Sequence, residues 1–152
     1  MIQRVQSLFL LLVTILMVVV WFKPIGIFAG SFGMFQYDLL EVKDYHTLMM
    51  VKFPLWILPT LTIFTALVSL ITIFLFKKRS LQKMLSIVGI VLLAAIYAVI
   101  FAYVSTINGQ LSSVFHASFI MSMPGISMGL FLLAYIFIRK DEKLVKSTDR
   151  IR

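Results

Sequence analysis

The chain has 152 residues, of which 61% are hydrophobic and 13% are charged, and it contains no cysteine. Soluble domains are about 45–50% apolar and about 25% charged, so this composition excludes an ordinary soluble domain, intrinsic disorder and a disulfide-bonded scaffold. The net charge of +8 would suggest nucleic-acid binding in a soluble protein, but the basic residues flank long apolar runs, which excludes nucleic acid as a partner and indicates an integral membrane protein.

Three long runs without Asp, Glu, Lys or Arg predict where the chain crosses a membrane. They cover residues 5–22, 53–76 and 84–138. A helix needs about 20 apolar residues to cross a hydrocarbon core of ~30 Å, so the longest run holds two crossings. Each crossing must be helical, because lipid offers no partner for unpaired backbone groups. The sequence therefore predicts an all-α fold, an integral membrane four-helix bundle that forms a single transmembrane domain over residues 1–152, with spans at 5–27, 53–76, 84–107 and 115–138.

The distribution of basic residues predicts the orientation of these spans. All but three of the 14 lysines and arginines lie on the same side as the two termini, and the exceptions are Lys23, Lys43 and Lys52. Cytoplasmic segments of membrane proteins carry the excess of Lys and Arg, so both termini are predicted to be cytoplasmic.

The outer loop, residues 28–52, is the largest segment predicted outside the membrane on the far side. Phe35, Tyr37 and Leu39 alternate with polar residues in this loop. Such alternation is typical of a small hairpin, which would lie on the outer ends of the helices. An amphipathic interfacial helix over Met34–Tyr45 is the alternative, and the sequence does not decide between the two.

Two local signals predict the shape of spans three and four. Asn108-Gly109 is a strong turn dipeptide, which predicts that these spans form an antiparallel hairpin. Pro124 falls inside span four and removes a backbone donor, which predicts a kink there.

Small residues recur at helical spacing in spans three and four. Because small residues let membrane helices approach closely, we expect these two stripes to face each other. The predicted packing residues are Ala95, Ala98, Ala102 and Ser105 in span three and Ser118, Ser122, Gly125 and Gly129 in span four.

A stripe of hydroxyl residues runs along span two, at Thr62, Thr65, Ser69 and Thr72. One interpretation is hydrogen bonding to the backbone of the same helix or to a neighbouring helix. The other is the wall of a path for a solute, although no ionisable residue accompanies the stripe at membrane depth.

Catalytic motifs are nearly absent from the sequence. It contains no Gly-rich phosphate loop, HExxH or GxSxG, so we predict a protein that is not an enzyme, without catalytic residues, cofactor or metal ligands. His46 and His116 both map to the outer side, where Asp38, Glu41 and Asp44 could supply oxygen ligands. Their wide separation without ligand spacing leaves a haem or metal site only as an alternative.

The basic tail, residues 139–152, is predicted to continue span four as a cytoplasmic helix. One interpretation is that its cations hold it to anionic lipid headgroups, and the other is that it docks a cytoplasmic partner, with both signs of charge taking part. The predicted partner-binding or lipid-binding residues are Arg139, Lys140, Asp141, Glu142, Lys143, Lys146, Asp149, Arg150 and Arg152.

The two ends of the chain resemble a known family. Met1-Ile2-Gln3-Arg4-Val5-Gln6 and the tail from Arg139 to Arg152 are similar to the domain-of-unknown-function family DUF4293, a bacterial group of four-span membrane proteins. The family has Ala where this chain has Thr148. The resemblance implies an inner-membrane location and no established activity.

These observations together favour a non-enzymatic accessory or scaffold subunit of a membrane protein complex, located in the bacterial inner membrane. Its predicted partners are the lipid bilayer, anionic headgroups at the basic face, and another membrane protein or a second copy of the chain. A small transporter or channel component that uses the hydroxyl stripe is the first alternative, and a haem-binding or metal-binding membrane protein is the second.

Overall fold

The computed structural model describes residues 3–30, 33–44, 50–51, 55–76 and 78–149. These residues form four long helices: α1 (Gln3–Phe22), α2 (Ile57–Phe74), α3 (Arg79–Leu111) and α4 (Met123–Asp149). All four are long and apolar enough to cross a membrane, in agreement with the number of spans expected from the charge-free runs.

The four helices form a closed ring, in which α1 and α3 each pack against both α2 and α4. Each helix buries one stripe of residues spaced three or four apart, the spacing typical of nearly antiparallel helix bundles. These stripes include Gln6, Leu10, Val13, Met17 and Val20 in α1; Leu58, Thr62, Thr65, Ser69 and Thr72 in α2; Gln82, Ser86, Leu93, Ile96, Ile100 and Ile107 in α3; and Ser127, Phe131, Ala134 and Ile138 in α4.

An antiparallel sheet covers one end of the bundle, so the prediction of an all-α fold is wrong. Its strands are β1 (Gly26–Gly30), β2 (Gly33–Tyr37), β3 (Val42–Asp44), β4 (Met50–Val51) and β5 (Ser113–Ala117), and their order across the sheet is β4-β3-β2-β1-β5. We call this end of the bundle the sheet end and the opposite one the terminal end. The outer loop therefore forms strands and not an interfacial helix over residues 34–44, but β2 pairs with β1 and β3 and not with β4.

The inner face of the sheet packs on the helices through aromatic rings. The ring of Phe28 in β1 lies 5.7 Å from that of Tyr37 and 4.9 Å from that of Phe115, measured between centroids. A Cβ on Gly26 would lie 2.4 Å from the Phe115 ring, so only glycine fits there. Burial raises the pKa of Tyr37 well above its usual value of 10, because the ionised phenol would have to shed water.

Several predicted boundaries move because strands replace the ends of predicted spans. Span one was predicted to reach residue 27, but α1 ends at Phe22 and β1 begins at Gly26. Asn108 and Gly109 are helical, and the chain reverses instead at Ser112, whose φ of 45° is left-handed. Span four was predicted to begin at Phe115, which lies in β5.

A 3-10 helix (Phe119–Ser122) leads from β5 into α4, which begins at Met123. Pro124 is therefore the second residue of α4, where the first turn has no hydrogen bond for proline to break. Pro124 therefore gives no reason for the kink that was predicted inside span four, because it lies in the first turn of α4 and not in the interior of the helix.

Most of the predicted small residues lie away from the contact between α3 and α4, and Gly125 is the exception among those described. Ala98, Ala102 and Ser105 lie on the exposed face of α3 and Ala95 is half-buried, whereas Ser118 and Ser122 precede α4. A Cβ on Gly129 would meet open space, whereas one on Gly125 would lie 2.8 Å from the Tyr97 hydroxyl.

α3 and α4 pack tightly against each other at Gly89. A Cβ at this position would lie 2.5 Å from Cζ of Phe131, whose ring is completely buried. Tyr97 makes a second link, since its hydroxyl donates to the carbonyl of Met121 over 2.8 Å and accepts from the amide of Gly125 over 2.9 Å.

We therefore expect Gly89→Ala to lower the unfolding midpoint of the purified protein in detergent, by the equivalent of about 1–3 kcal/mol, because the buried Phe131 ring has no space to move into. Gly129→Ala is the matched control. It should leave the midpoint unchanged or slightly higher, since alanine is the better helix former and the added methyl group touches nothing. Equal destabilisation by the two changes would contradict this packing.

Candidate functional site

Two ion pairs join the start of α3 to the end of α4 at the terminal end. Nη2 of Arg79 lies 3.4 Å from Oδ2 of Asp141, and Nζ of Lys83 lies 2.9 Å from Oε2 of Glu142. Arg79 also donates to the carbonyl of Asp141. The carboxylates of Asp141 and Glu142 thus face cations of the same chain, which makes them poor candidates for the contacts with a cytoplasmic partner that the sequence suggested.

The two cations that precede these carboxylates are arranged differently. Arg139 and Lys140 are exposed, and no carboxylate in the described part of the chain forms an ion pair with either. Both line a surface groove of about 360 Å³ together with Tyr135 and Ile136.

The tail is helical as far as Asp149, as the sequence predicted. The side chains of Lys143, Lys146 and Asp149 lie outside the described residues, as do Arg150 and Arg152 altogether. Of the predicted tail site, the structure therefore places four side chains, two of them paired within the chain and two of them exposed.

The hydroxyl stripe of α2 lies on the buried side of that helix. Thr65 and Thr72 donate to carbonyls one turn earlier in α2, and Thr62 donates to the carbonyl of Pro59. The Ser69 hydroxyl donates to the carbonyl of Leu10 in α1 over 2.6 Å. All four hydroxyls are thus used in hydrogen bonds of the bundle.

Further polar side chains are buried in the bundle. Gln82 donates from Nε2 to the carbonyl of Thr72 over 3.3 Å, and Ser86 donates to the carbonyl of Gln82. Nε2 of Gln6 and Oγ of Ser127 are buried without a hydrogen-bond partner among the described residues. The interior of the bundle therefore combines apolar packing with a polar seam that links α2 to both of its neighbours.

The described residues among the candidates for a haem or metal site do not form a cluster of ligands. His46 lies outside the described residues, and His116 is exposed in β5. Asp38 and Glu41 both pair with Lys43, and the hydrogen bond that Lys43 donates to Glu41 raises the pKa of that lysine. No group of three or more His, Cys, Asp or Glu able to hold a metal ion occurs within the described ranges.

The side of the sheet that faces away from the bundle forms a second candidate surface, which sequence reasoning missed. The strand register brings six outward residues into two rows of three, Gln36–Ile27–His116 and Met34–Ala29–Val114. We call these six residues the outer face. The alternation of residues 26–30 and 113–117 could have revealed it, but both segments were assigned to the spans or their edges.

Three side chains of the outer face are large, apolar and exposed. Ile27 is 37% exposed, Met34 is 50% exposed and Val114 is 64% exposed. Gln36 and His116 flank Ile27 and give the patch a polar border. An apolar centre with a polar rim is the usual anatomy of a protein interface.

A family model described as Domain of unknown function (DUF4293) matches residues 2–151. This range includes all four helices and all five strands, and the match confirms the resemblance found at the two ends of the chain. No curated protein matches the chain.

We predict that Glu142→Lys lowers the unfolding midpoint in detergent, because it places a second cation beside Lys83. Adding Lys83→Glu should restore most of the loss by recreating the pair in the opposite sense. The pair is partly exposed, so the coupling energy between the two sites should not exceed about 1 kcal/mol. Lys140→Glu, at an exposed residue of the same helix, is the control and should change the midpoint less than Glu142→Lys. A double variant no more stable than Glu142→Lys alone would show that the contact contributes nothing.

Proposed function

The chain belongs to the DUF4293 family, and we propose that it is a non-enzymatic accessory or scaffold subunit of a complex in the bacterial inner membrane, which binds its partner through the outer face of the sheet. The observation that carries this proposal is the exposure of Ile27, Met34 and Val114 on a segment outside the four helices.

Exposed apolar side chains on the sheet meet a different solvent from those on the helices. Those on the helices are expected to face lipid, which solvates them. The sheet lies beyond the helix ends, so its outer face meets water unless another protein covers it. Exposed apolar patches on water-facing surfaces mark interaction sites. A partner that covers Met34 and Val114 would remove apolar area from water and would gain the corresponding free energy.

The position of the outer face favours a partner that is itself a membrane protein. The inner face of the sheet packs directly on the helix ends through Phe28 and Tyr37, which are completely buried. Packed layers are separated by about 10 Å, so the outer face lies close to the membrane surface. A partner anchored in the same membrane reaches this height without extending a long segment into solution.

The hydrogen bonds of α2 favour this role over the transporter alternative. Thr62, Thr65, Ser69 and Thr72 each donate to a backbone carbonyl, so their hydroxyl protons are committed to the bundle. A path for a polar solute would need donors and acceptors free to replace its hydration shell.

We further propose that the terminal end faces the cytoplasm and the sheet end faces outward, on the basis of the Lys and Arg asymmetry. Because the chain contains no cysteine, single cysteines can test this without background labelling. A membrane-impermeant maleimide added to cells with a permeabilised outer membrane should label Val114→Cys. Lys140→Cys should be labelled only after the inner membrane is also broken. The reverse pattern would overturn the orientation.

Photo-crosslinking tests the partner site. A photo-reactive residue at Met34 should give a discrete protein adduct in cells, and one at Ile136, on the exposed face of α4, should not. Adding Val114→Lys should abolish the adduct formed from position 34, because it places a charge in the apolar centre of the patch. Gln110→Lys, which adds the same charge at an exposed position at the end of α3, is the control and should leave the adduct intact.

The mass of the adduct identifies the type of partner. An adduct with a second membrane protein supports the accessory role, whereas an adduct of two copies of this chain indicates a homo-oligomer and contradicts it. Absence of an adduct at both Met34 and Val114 would show that the outer face is not an interface.

A further inference from the structure

The charges at the end of α4 separate into two pairs with different environments. Asp141 and Glu142 are 16% and 20% exposed and face Arg79 and Lys83. Arg139 and Lys140, immediately before them, are exposed and have no ion-pair partner within the described ranges. The short segment from Arg139 to Lys140 therefore presents two uncompensated positive charges, although the next two residues are acidic.

These two cations lie at the depth where the apolar surface of α4 ends. Leu132, Leu133 and Ile136 are 44%, 42% and 55% exposed, and the run without charged residues in α4 ends at Ile138. Arg139 follows Ile136 by three residues, which is about 4.5 Å along a helix axis. Long basic side chains at this depth keep their stems on the apolar surface and extend their charged ends to the headgroup layer.

The groove between these residues combines both kinds of surface. Ile136 supplies an apolar wall, Tyr135 supplies a ring and a hydroxyl, and Arg139 and Lys140 supply the charge around a volume of about 360 Å³. A soluble anion would use only the cations. A phospholipid would place its phosphate between the cations and its first acyl carbons against Ile136, so it matches the whole lining.

We propose that Tyr135, Ile136, Arg139 and Lys140 form a binding site for the phosphodiester of an anionic phospholipid in the leaflet at the terminal end. The two positive charges, uncompensated by any nearby described carboxylate, select a headgroup with net negative charge over a zwitterionic one. Guanidinium groups bind phosphate oxygens in a bidentate way, so Arg139 sets the position and Lys140 adds a point charge. The pairs with Arg79 and Lys83 hold the neighbouring carboxylates away from this phosphate. This inference does not depend on the role proposed for the outer face.

The test uses the full-length purified protein in detergent, with bound lipid counted by native mass spectrometry. Phosphatidylglycerol, phosphatidylcholine with the same acyl chains, and inorganic phosphate are added separately and in competition. Phosphatidylglycerol should bind in preference to phosphatidylcholine. The double variant Arg139→Gln/Lys140→Gln should lower the affinity for phosphatidylglycerol about 30-fold, since each basic residue near an anionic surface contributes about 1 kcal/mol.

A matched double variant distinguishes a specific lipid-binding site from the general attraction of anionic lipid to a basic surface. Lys77→Gln/Lys78→Gln removes two neighbouring charges from the connection between α2 and α3, and it should leave the affinity within about twofold. Equal losses in the two double variants would overturn the proposal, as would unchanged binding in Arg139→Gln/Lys140→Gln. Displacement of bound lipid by inorganic phosphate at comparable concentration would show a free-anion site and would also overturn it.

The charge-conserving variant Arg139→Lys/Lys140→Arg is the control for effects of substitution on folding. This variant should keep the preference for phosphatidylglycerol and an unchanged unfolding midpoint without added lipid. Its affinity for phosphatidylglycerol should fall less than that of Arg139→Gln/Lys140→Gln, because the guanidinium is moved while both charges remain. A loss as large as that of the double glutamine variant, in protein that remains folded, would overturn the proposal.

Discussion

The structure depends on one constraint, which is that polar groups inside the bundle find no water, and the chain itself supplies the partners for most of them. The buried face of α2 shows how this is achieved. It carries hydroxyls at every third or fourth residue, and three of the four donate within their own helix. Ser69 instead donates to Leu10 in α1, and Gln82 in α3 donates to Thr72 in α2. The polar seam therefore links neighbouring helices where lipid supplies no hydrophobic force between them.

The sheet pairs the backbone groups of the segments that connect the helices at the sheet end, and it also joins the two halves of the fold. β1 belongs to the connection between α1 and α2, whereas β5 belongs to the connection between α3 and α4, and the two strands pair along their whole length. The absence of a side chain at Gly26 lets the Phe115 ring lie against β1 and close the aromatic cluster around Phe28. Loss of this strand pairing would leave the two helix hairpins joined only within the membrane.

The sequence predicted the helices well because runs without charge are long and unambiguous. It predicted only part of the sheet. The alternation around Phe35 and Tyr37 stands out in a polar loop, whereas β1 and β5 are short and adjoin apolar segments. The predicted spans 5–27 and 115–138 therefore include parts of both strands. Helical spacing also showed which small residues share a face of α3 without showing where that face points. Leu93, Ile96 and Ile100 turn inward instead, and the absence of a side chain at Gly89 makes room for Phe131.

The residues with proposed binding roles are not the ones that hold the bundle together. Phe131, Ser69 and Phe28 are completely buried and serve packing or hydrogen bonding within the chain. Val114 and Lys140 are exposed at opposite ends of the molecule, and neither is part of the buried core. Substitution of either residue should change the free energy of unfolding little, because exposed side chains outside the packed core and its hydrogen bonds contribute little to stability. Binding and folding can therefore be separated experimentally in this protein, and each end of the bundle can be tested without disturbing the other.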